Sequence, residues 1–107
     1  MTNLIKLPLT LAIVLTATTA IAATSTTITQ KGKEFSERRI TIAVGDTVTF
    51  LNDDGTTHNI HSNTDGAAFD LGAQAPGETL EYTCNTAGKV KVRCAIHPKM
   101  KLDVTVE

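Results

Sequence analysis

Three side chains with metal-binding chemistry lie three residues apart near the carboxyl terminus. Cys94, His97 and Met100 supply a thiol, an imidazole and a thioether. They directly follow the alternating run 89–94, so the sequence predicts a strand that leads into a short loop. A tight loop can turn all three groups toward one point. Soft sulfur ligands favour Cu(I), and imidazole suits copper in either oxidation state.

Two further histidines lie about 35 residues upstream, in the segment Thr57-His58-Asn59-Ile60-His61. Because the two histidines are three residues apart, their side chains point to opposite faces of an extended chain. Only one of them can therefore contribute to a metal site on one face. We choose His58, which follows the Asn-x-Asp turn, and expect His61 to be a polar neighbour. Two imidazoles, one thiolate and a weak axial thioether form the ligand set of electron-transfer copper sites. Zinc would prefer a second thiolate or a carboxylate to the thioether.

The elements that must position these residues read as short strands. Alternating apolar and polar residues occupy 40–44, 47–50, 80–84, 89–94 and 100–107, and turn-forming residues separate them at 52–55, 65–66, 76–77 and 85–88. No segment has a convincing helical period, and we expect residues 24–27 to be a frayed start. The pattern predicts an all-β domain, either an antiparallel sandwich or a small barrel.

Length and charge limit the possible functions. The 107 residues allow one small domain, and ten basic against eleven acidic residues give a formal net charge of −1. Without a long basic run there is no electrostatic footprint for nucleic acid, which we exclude as a partner. We also predict that the protein is not an enzyme, because no Ser/His/Asp set, paired carboxylates or haem motif is present.

The first 22 residues have the pattern of a secretory signal peptide. Lys6 precedes an apolar stretch from Leu7 to about Ala17, and Ala20-Ile21-Ala22 fits the small-x-small cleavage rule. The stretch is shorter than the roughly 20 residues that cross a bilayer. We therefore expect residues 23–107 to form the mature domain in the periplasm, with no membrane span.

Export makes a disulfide between Cys84 and Cys94 a natural expectation, but the positions of the two cysteines along their strands argue against it. Both thiols share the inward face of their strands. If residues 80–94 form a simple hairpin, the two cysteines are about 20 Å apart, far beyond the roughly 7 Å limit between Cα atoms. If residues 80–94 do not form a hairpin, this distance argument does not apply. We expect two free cysteines, with Cys84 acting as a small core hydrophobe.

From Phe35 to Val106 the chain resembles the cupredoxins, the type 1 blue copper family, and most closely the amicyanin and plastocyanin-like members. The matching residues are Phe35, Ile40-x-Ile42-x-Val44-Gly45-Asp46-Thr47-Val48-x-Phe50-x-Asn52-x-Asp54, His58-Asn59-Ile60-His61, and Gly88 before Val90-x-Val92-x-Cys94-x-x-His97-Pro98-x-Met100. The short spacing from His97 to Met100 is typical of amicyanins. The resemblance implies a Greek-key antiparallel β-sandwich of about eight strands that holds one copper ion.

The resemblance also implies a role for each site residue. His58, Cys94, His97 and Met100 would ligate the copper, and Asn59 would orient the cysteine loop by hydrogen bonding. An apolar docking patch would surround His97, formed by Ile96 and Pro98, with Leu71 and Pro76 as further candidates. Residues 68–72, Cys84 and the basic stripe Lys89, Lys91, Arg93, Lys99 and Lys101 depart from a typical amicyanin.

The function that follows is one-electron transfer between redox partners by an exported monomer, although the departures leave the partner unidentified. A periplasmic copper-binding protein for copper tolerance or sequestration is the alternative, because it could use the same ligands. Zinc storage with His61 and Cys84 in place of Met100 is a further possibility. The basic stripe is either a solvated sheet face or a docking surface for an acidic partner.

Overall fold

The chain folds into two packed β-sheets. The computed structural model describes Pro8, residues 10–13 and residues 22–107. Its strands are β1 (Ser25–Lys31), β2 (Glu34–Phe35), β3 (Arg39–Ile42), β4 (Thr47–Asn52), β5 (His58–Ser62), β6 (Phe69–Gln74), β7 (Thr79–Thr83), β8 (Gly88–Arg93) and β9 (Lys101–Val106). The predicted signal segment lies outside the described residues, except for Pro8, residues 10–13 and residue 22.

One sheet has the strand order β2-β1-β4-β7 and the other β3-β9-β8-β5-β6. The predicted β-sandwich is confirmed, with nine strands among the described residues. Its sheets are mixed, because β1 pairs with β4 and β3 pairs with β9 in parallel. No helix among the described residues is long and apolar enough to span a membrane.

Alternation along the strands creates the core between the sheets. In β4 every second residue is buried, and β9 buries Leu102, Val104 and Val106 in the same way. The buried hydrophobic residues form one cluster: Ile28, Phe35, Ile42, Val48, Phe50, Ile60, Cys84, Val90, Val92, Cys94, Met100, Leu102, Val104 and Val106. The three sulfur-containing side chains expected near a metal or in the core, Cys84, Cys94 and Met100, therefore lie in the packed interior, where neighbours restrict their movement.

The structure corrects one local expectation and decides one condition that the sequence left open. Residues 24–27 are not a frayed start, because β1 begins at Ser25 and pairs in register with β4 from Thr47 onward. Residues 80–94 are not a hairpin either, since β7 and β8 belong to different sheets. Both cysteines are nevertheless free, as expected.

The turn before β4 carries the chain from one sheet to the other, and Asp46 fixes it. Its two carboxylate oxygens accept hydrogen bonds from the Thr24 and Ala43 N–H groups, each at 3.0 Å. These two hydrogen bonds hold the pKa of Asp46 below its usual value, and the bond from Thr24 has the larger effect. Because the pKa is lower in the folded state than in the unfolded chain, the ionised carboxylate stabilises the fold, and this contribution disappears as the pH falls.

We expect Asp46→Asn to lower the Tm at neutral pH, because the amide replaces a charged acceptor of two backbone hydrogen bonds. The difference in Tm from the unmodified protein should shrink below about pH 4, where the unfolded chain takes up the proton. Thermal unfolding followed by circular dichroism over a pH series measures it. Asp65→Asn, an exposed turn residue, is the matched control. A difference in Tm that stays constant with pH would contradict this role for Asp46.

Candidate metal centre

Three of the four predicted ligands converge at one end of the sandwich. His58 is the first residue of β5, Cys94 follows β8, and His97 lies in the loop that leads to β9. The Nδ1 atoms of His58 and His97 are 3.1 Å apart, and Cys94 Sγ lies 3.8 Å from each of them. The three donor atoms thus form a compact triangle.

The size of this triangle suits a metal ion. A point equidistant from its three corners lies about 2.1 Å from each atom, which is close to the roughly 2.0–2.1 Å and 2.3 Å of zinc–nitrogen and zinc–sulfur bonds. His58 and Cys94 are buried and His97 is half-buried. Two imidazoles and one thiolate in a plane are the equatorial donors of an electron-transfer copper site.

Met100, the fourth predicted ligand, is also buried, at 1% exposure. Its backbone N–H donates to the His97 carbonyl at 2.9 Å, so the loop closes in a turn just after His97. Met100 belongs to the core cluster, and its burial suits either an axial ligand or core packing.

The orientation of His58 is set by a carboxylate. Its Nε2 atom lies 2.7 Å from Asp54 Oδ2. Because an ionised carboxylate can only accept, the Nε2–H donates and the Nδ1 lone pair faces the other two donor atoms. A histidine that donates its second N–H to a carboxylate is also a more basic metal ligand.

Asp54 is in turn held by the turn between β1 and β2. Its carboxylate accepts the N–H groups of Gly32 at 2.6 Å and Lys33 at 2.9 Å. Both residues have positive φ angles, +62° and +56°, which aim successive N–H groups at one anion. Partial burial raises the pKa of Asp54, but the hydrogen bonds from Lys33, His58 and Gly32 outweigh it and leave the pKa below its usual value.

Asn59, in β5, joins the cysteine loop to the neighbouring strand β6. Its backbone N–H points at Cys94 Sγ, 3.3 Å away, and its side-chain oxygen accepts from the Ala95 N–H at 3.2 Å. The side-chain N–H₂ group donates to Asp70 Oδ1 at 2.9 Å and to the Gly72 carbonyl at 3.0 Å. The segment that departs from a typical amicyanin therefore anchors Asn59 here.

His61 and Cys84 lie apart from the donor triangle. His61 Nδ1 donates to Asn59 Oδ1 at 2.9 Å, and the register of β5 against β6 shifts between these two residues. Cys84 is a buried member of the core cluster, and burial, followed by the charge of Asp46, raises the pKa of its thiol. Neither belongs to the group of residues that could hold a metal ion.

The predicted docking patch lies beside the triangle. Ile96 is 51% exposed and Pro98 is also exposed, so apolar surface flanks the half-buried His97 in the same loop. Of the two further candidates, Pro76 is exposed and Leu71 is half-buried.

Fold, donor atoms and hydrogen bonds together define a cupredoxin. The family model described as copper binding proteins of the plastocyanin/azurin family matches residues 22–107. The chain therefore belongs to the plastocyanin/azurin family of copper-binding proteins, and one copper ion is its cofactor.

Individual relatives agree with this assignment. The methylamine utilization protein MauL of Methylorubrum extorquens is 31% identical over 103 residues, which cover 87% of this chain and 90% of MauL. A reduced tryptophan-to-tyrosine variant of amicyanin is structurally similar, with a TM-score of 0.73, 26% identity and coverage of 81% of this chain and 86% of amicyanin. The purple cupredoxin of Nitrosopumilus maritimus has a TM-score of 0.66, 29% identity and coverage of 76% and 98%.

Asp54 is the functional residue to which the sequence analysis assigned no role, although it was part of the matching pattern. We expect Asp54→Asn to lower copper(II) affinity roughly 10- to 100-fold, because the amide would set an N–H₂ group or a neutral oxygen against His58 Nε2. Cu(II) should lose more affinity than Cu(I), since it depends more on a basic imidazole, so the reduction potential should rise.

Competition titration and redox titration measure the two effects. Asp53→Asn is the matched control, because it removes the same charge one residue away from an exposed carboxylate whose ion-pair partner is Lys31. Equal changes in affinity and potential in both variants would mean that net charge, not the contact with His58, is responsible.

Proposed function

We propose that this small copper electron-transfer protein is an exported one-electron carrier that shuttles between redox partners. The observation that carries the proposal is the triangle of His58 Nδ1, His97 Nδ1 and Cys94 Sγ, aligned by hydrogen bonds from outside it. A single-electron change between Cu(I) and Cu(II) is the chemistry that bound copper supplies.

We propose His58, Cys94, His97 and Met100 as the four ligands. The thiolate of Cys94 would form the strong bond to copper, and the thioether of Met100, a weaker ligand, would tune the potential. The Asn59 N–H directed at Cys94 Sγ withdraws electron density from the thiolate and so favours the reduced state. Asp54 acts in the opposite direction through His58.

A site of this kind transfers electrons quickly only if its donor atoms move little. Each equatorial donor is restrained from a different direction: His58 by Asp54, Cys94 by the Asn59 N–H, and the His97 loop by its bond to the Met100 N–H. Burial of His58 and Cys94 removes the freedom that remains. Half-exposed His97, beside apolar Ile96 and Pro98, offers the route by which a partner reaches the site.

The spectrum after one equivalent of copper(II) tests the ligands. Cys94→Ser should abolish the intense visible band, because this band arises from charge transfer between thiolate and copper. Met100→Gln should keep the band and shift the reduction potential, and Cys84→Ser, the matched control, should leave both unchanged. A band that survives in Cys94→Ser and is lost in Cys84→Ser would reassign the thiolate. Slow self-exchange in the coloured protein would instead favour copper sequestration.

Export is the second part of the proposal. It is supported by the pattern of residues 1–22, which precedes β1. We expect amino-terminal sequencing of the protein from a periplasmic fraction to begin at residue 23. A chain that keeps residues 1–22 in that compartment would contradict cleavage at this position.

A further inference from the structure

A basic cleft lies on the flank of the ligand loop. It has a volume of about 500 Å³ and is lined by Glu34, Phe35, Arg38, Arg39, Arg93, Pro98, Lys99, Met100, Lys101 and Asp103. Three of these residues come from the loop that contains His97. The cleft therefore adjoins the candidate metal centre on its Met100 side.

The cleft concentrates positive charge on a protein that is acidic elsewhere. Five basic and two acidic side chains line it, for a net charge of +3, whereas the whole chain carries −1. Arg93 is 3.3 Å from Asp103 and neutralises it. The other four basic side chains, Arg38, Arg39, Lys99 and Lys101, have no ion-pair partner among the described residues.

The arrangement resembles a protein interface more than a pocket for a small anion. The four unpaired cations are all exposed, so no buried charged group is preformed to hold a small ion. Of the apolar residues that line the cleft, Pro98 is exposed and Phe35 and Met100 are buried, so a small apolar surface lies among the charged groups, as in interfaces with an apolar centre and a polar rim. A long polyanion such as DNA would extend beyond the cleft and be repelled by the net charge of −4 that the rest of the chain carries.

We propose that this cleft is a docking surface for an acidic protein that exchanges electrons with the copper site. This inference rests on the proposed function. A partner seated there would lie against the exposed Pro98 and Lys99, which precede the buried Met100, and would approach the metal from a side other than the exposed Ile96. Charge complementarity would speed the encounter and orient the acidic partner, and salt would weaken it.

Reduced cytochrome b5, an acidic haem protein, is a suitable probe of the copper(II)-loaded chain. We expect its second-order rate constant, measured by stopped flow, to fall as ionic strength rises. Lys99→Gln/Lys101→Gln should reduce that rate constant about tenfold at low ionic strength and flatten its salt dependence. Lys89→Gln/Lys91→Gln is the matched control, because it removes two exposed lysines of the same spacing from β8, outside the cleft.

Each outcome decides the proposal. Equal losses of rate in both variants, or a rate independent of salt, would overturn it. Stronger inhibition by phosphate than by chloride at equal ionic strength would indicate a small-anion site, and competition by a short DNA duplex at physiological salt would indicate nucleic acid; either would also overturn it. The visible spectrum and potential of both variants should match the unmodified protein. Absence of the visible band in the unmodified protein would be a failure of the proposed function instead.

Charge reversal gives an independent check. Lys99→Glu/Lys101→Glu should slow the reaction with cytochrome b5 further and speed electron exchange with cytochrome c, a basic haem protein. Lys89→Glu/Lys91→Glu changes the net charge equally and should have a clearly smaller effect on both rates. The same response in both reversed variants would show that net charge alone is sensed, and the cleft would then have no special role.

Discussion

The metal centre depends on the way β5 is held at its first two residues. His58 donates to Asp54, and the next N–H along the chain, that of Asn59, points at Cys94 Sγ. Two of the three donor atoms are thus positioned by hydrogen bonds from one short piece of strand. Because His58 and Cys94 are also buried, neither can turn away without losing a hydrogen bond and opening a gap in close-packed surroundings.

The hydrogen bonds extend this restraint across the sandwich. Asp54 is fixed by the turn that follows β1, in the other sheet from β5, and Asn59 is fixed by Asp70 and Gly72 of the neighbouring strand β6. The donor triangle is therefore tied to both sheets. The positive φ of Lys33, which is unfavourable for a non-glycine residue, is tolerated because it turns a backbone N–H toward the Asp54 carboxylate.

Sequence reasoning succeeded where the signal is local. The alternation of apolar and polar residues correctly predicted which side chains of β8 and β9 point into the core. It does so because burial repeats every two residues along a strand whose sheet is covered on one face. The loop from Cys94 to Met100 was recognised from residue types at fixed short spacing. Cys94 and His97 of this loop converge with His58, since the strand before the loop and β5 are neighbours in one sheet.

The failures concern information that is not local. β1 is rich in Ser and Thr, and its strand identity comes from pairing with β4, about twenty residues away. Turn residues at 85–88 suit a hairpin and a crossing between sheets equally well, so the sequence could not separate the two. The role of Asp54 was hidden for the same reason, because the N–H groups of Gly32 and Lys33 reach it only in the folded chain.

The same geometry bears on the choice between carrying electrons and storing copper. A storage protein must release its metal, which requires donor atoms that can be reached and displaced. Here His58 is fully buried and Cys94 is 1% exposed, while His97 alone among the three is half-open to solvent. Metal exchange would require His97 and its loop to move away, whereas an electron can pass through the His97 edge with every ligand in place. Restraint of this kind favours a metal that stays bound while its charge changes.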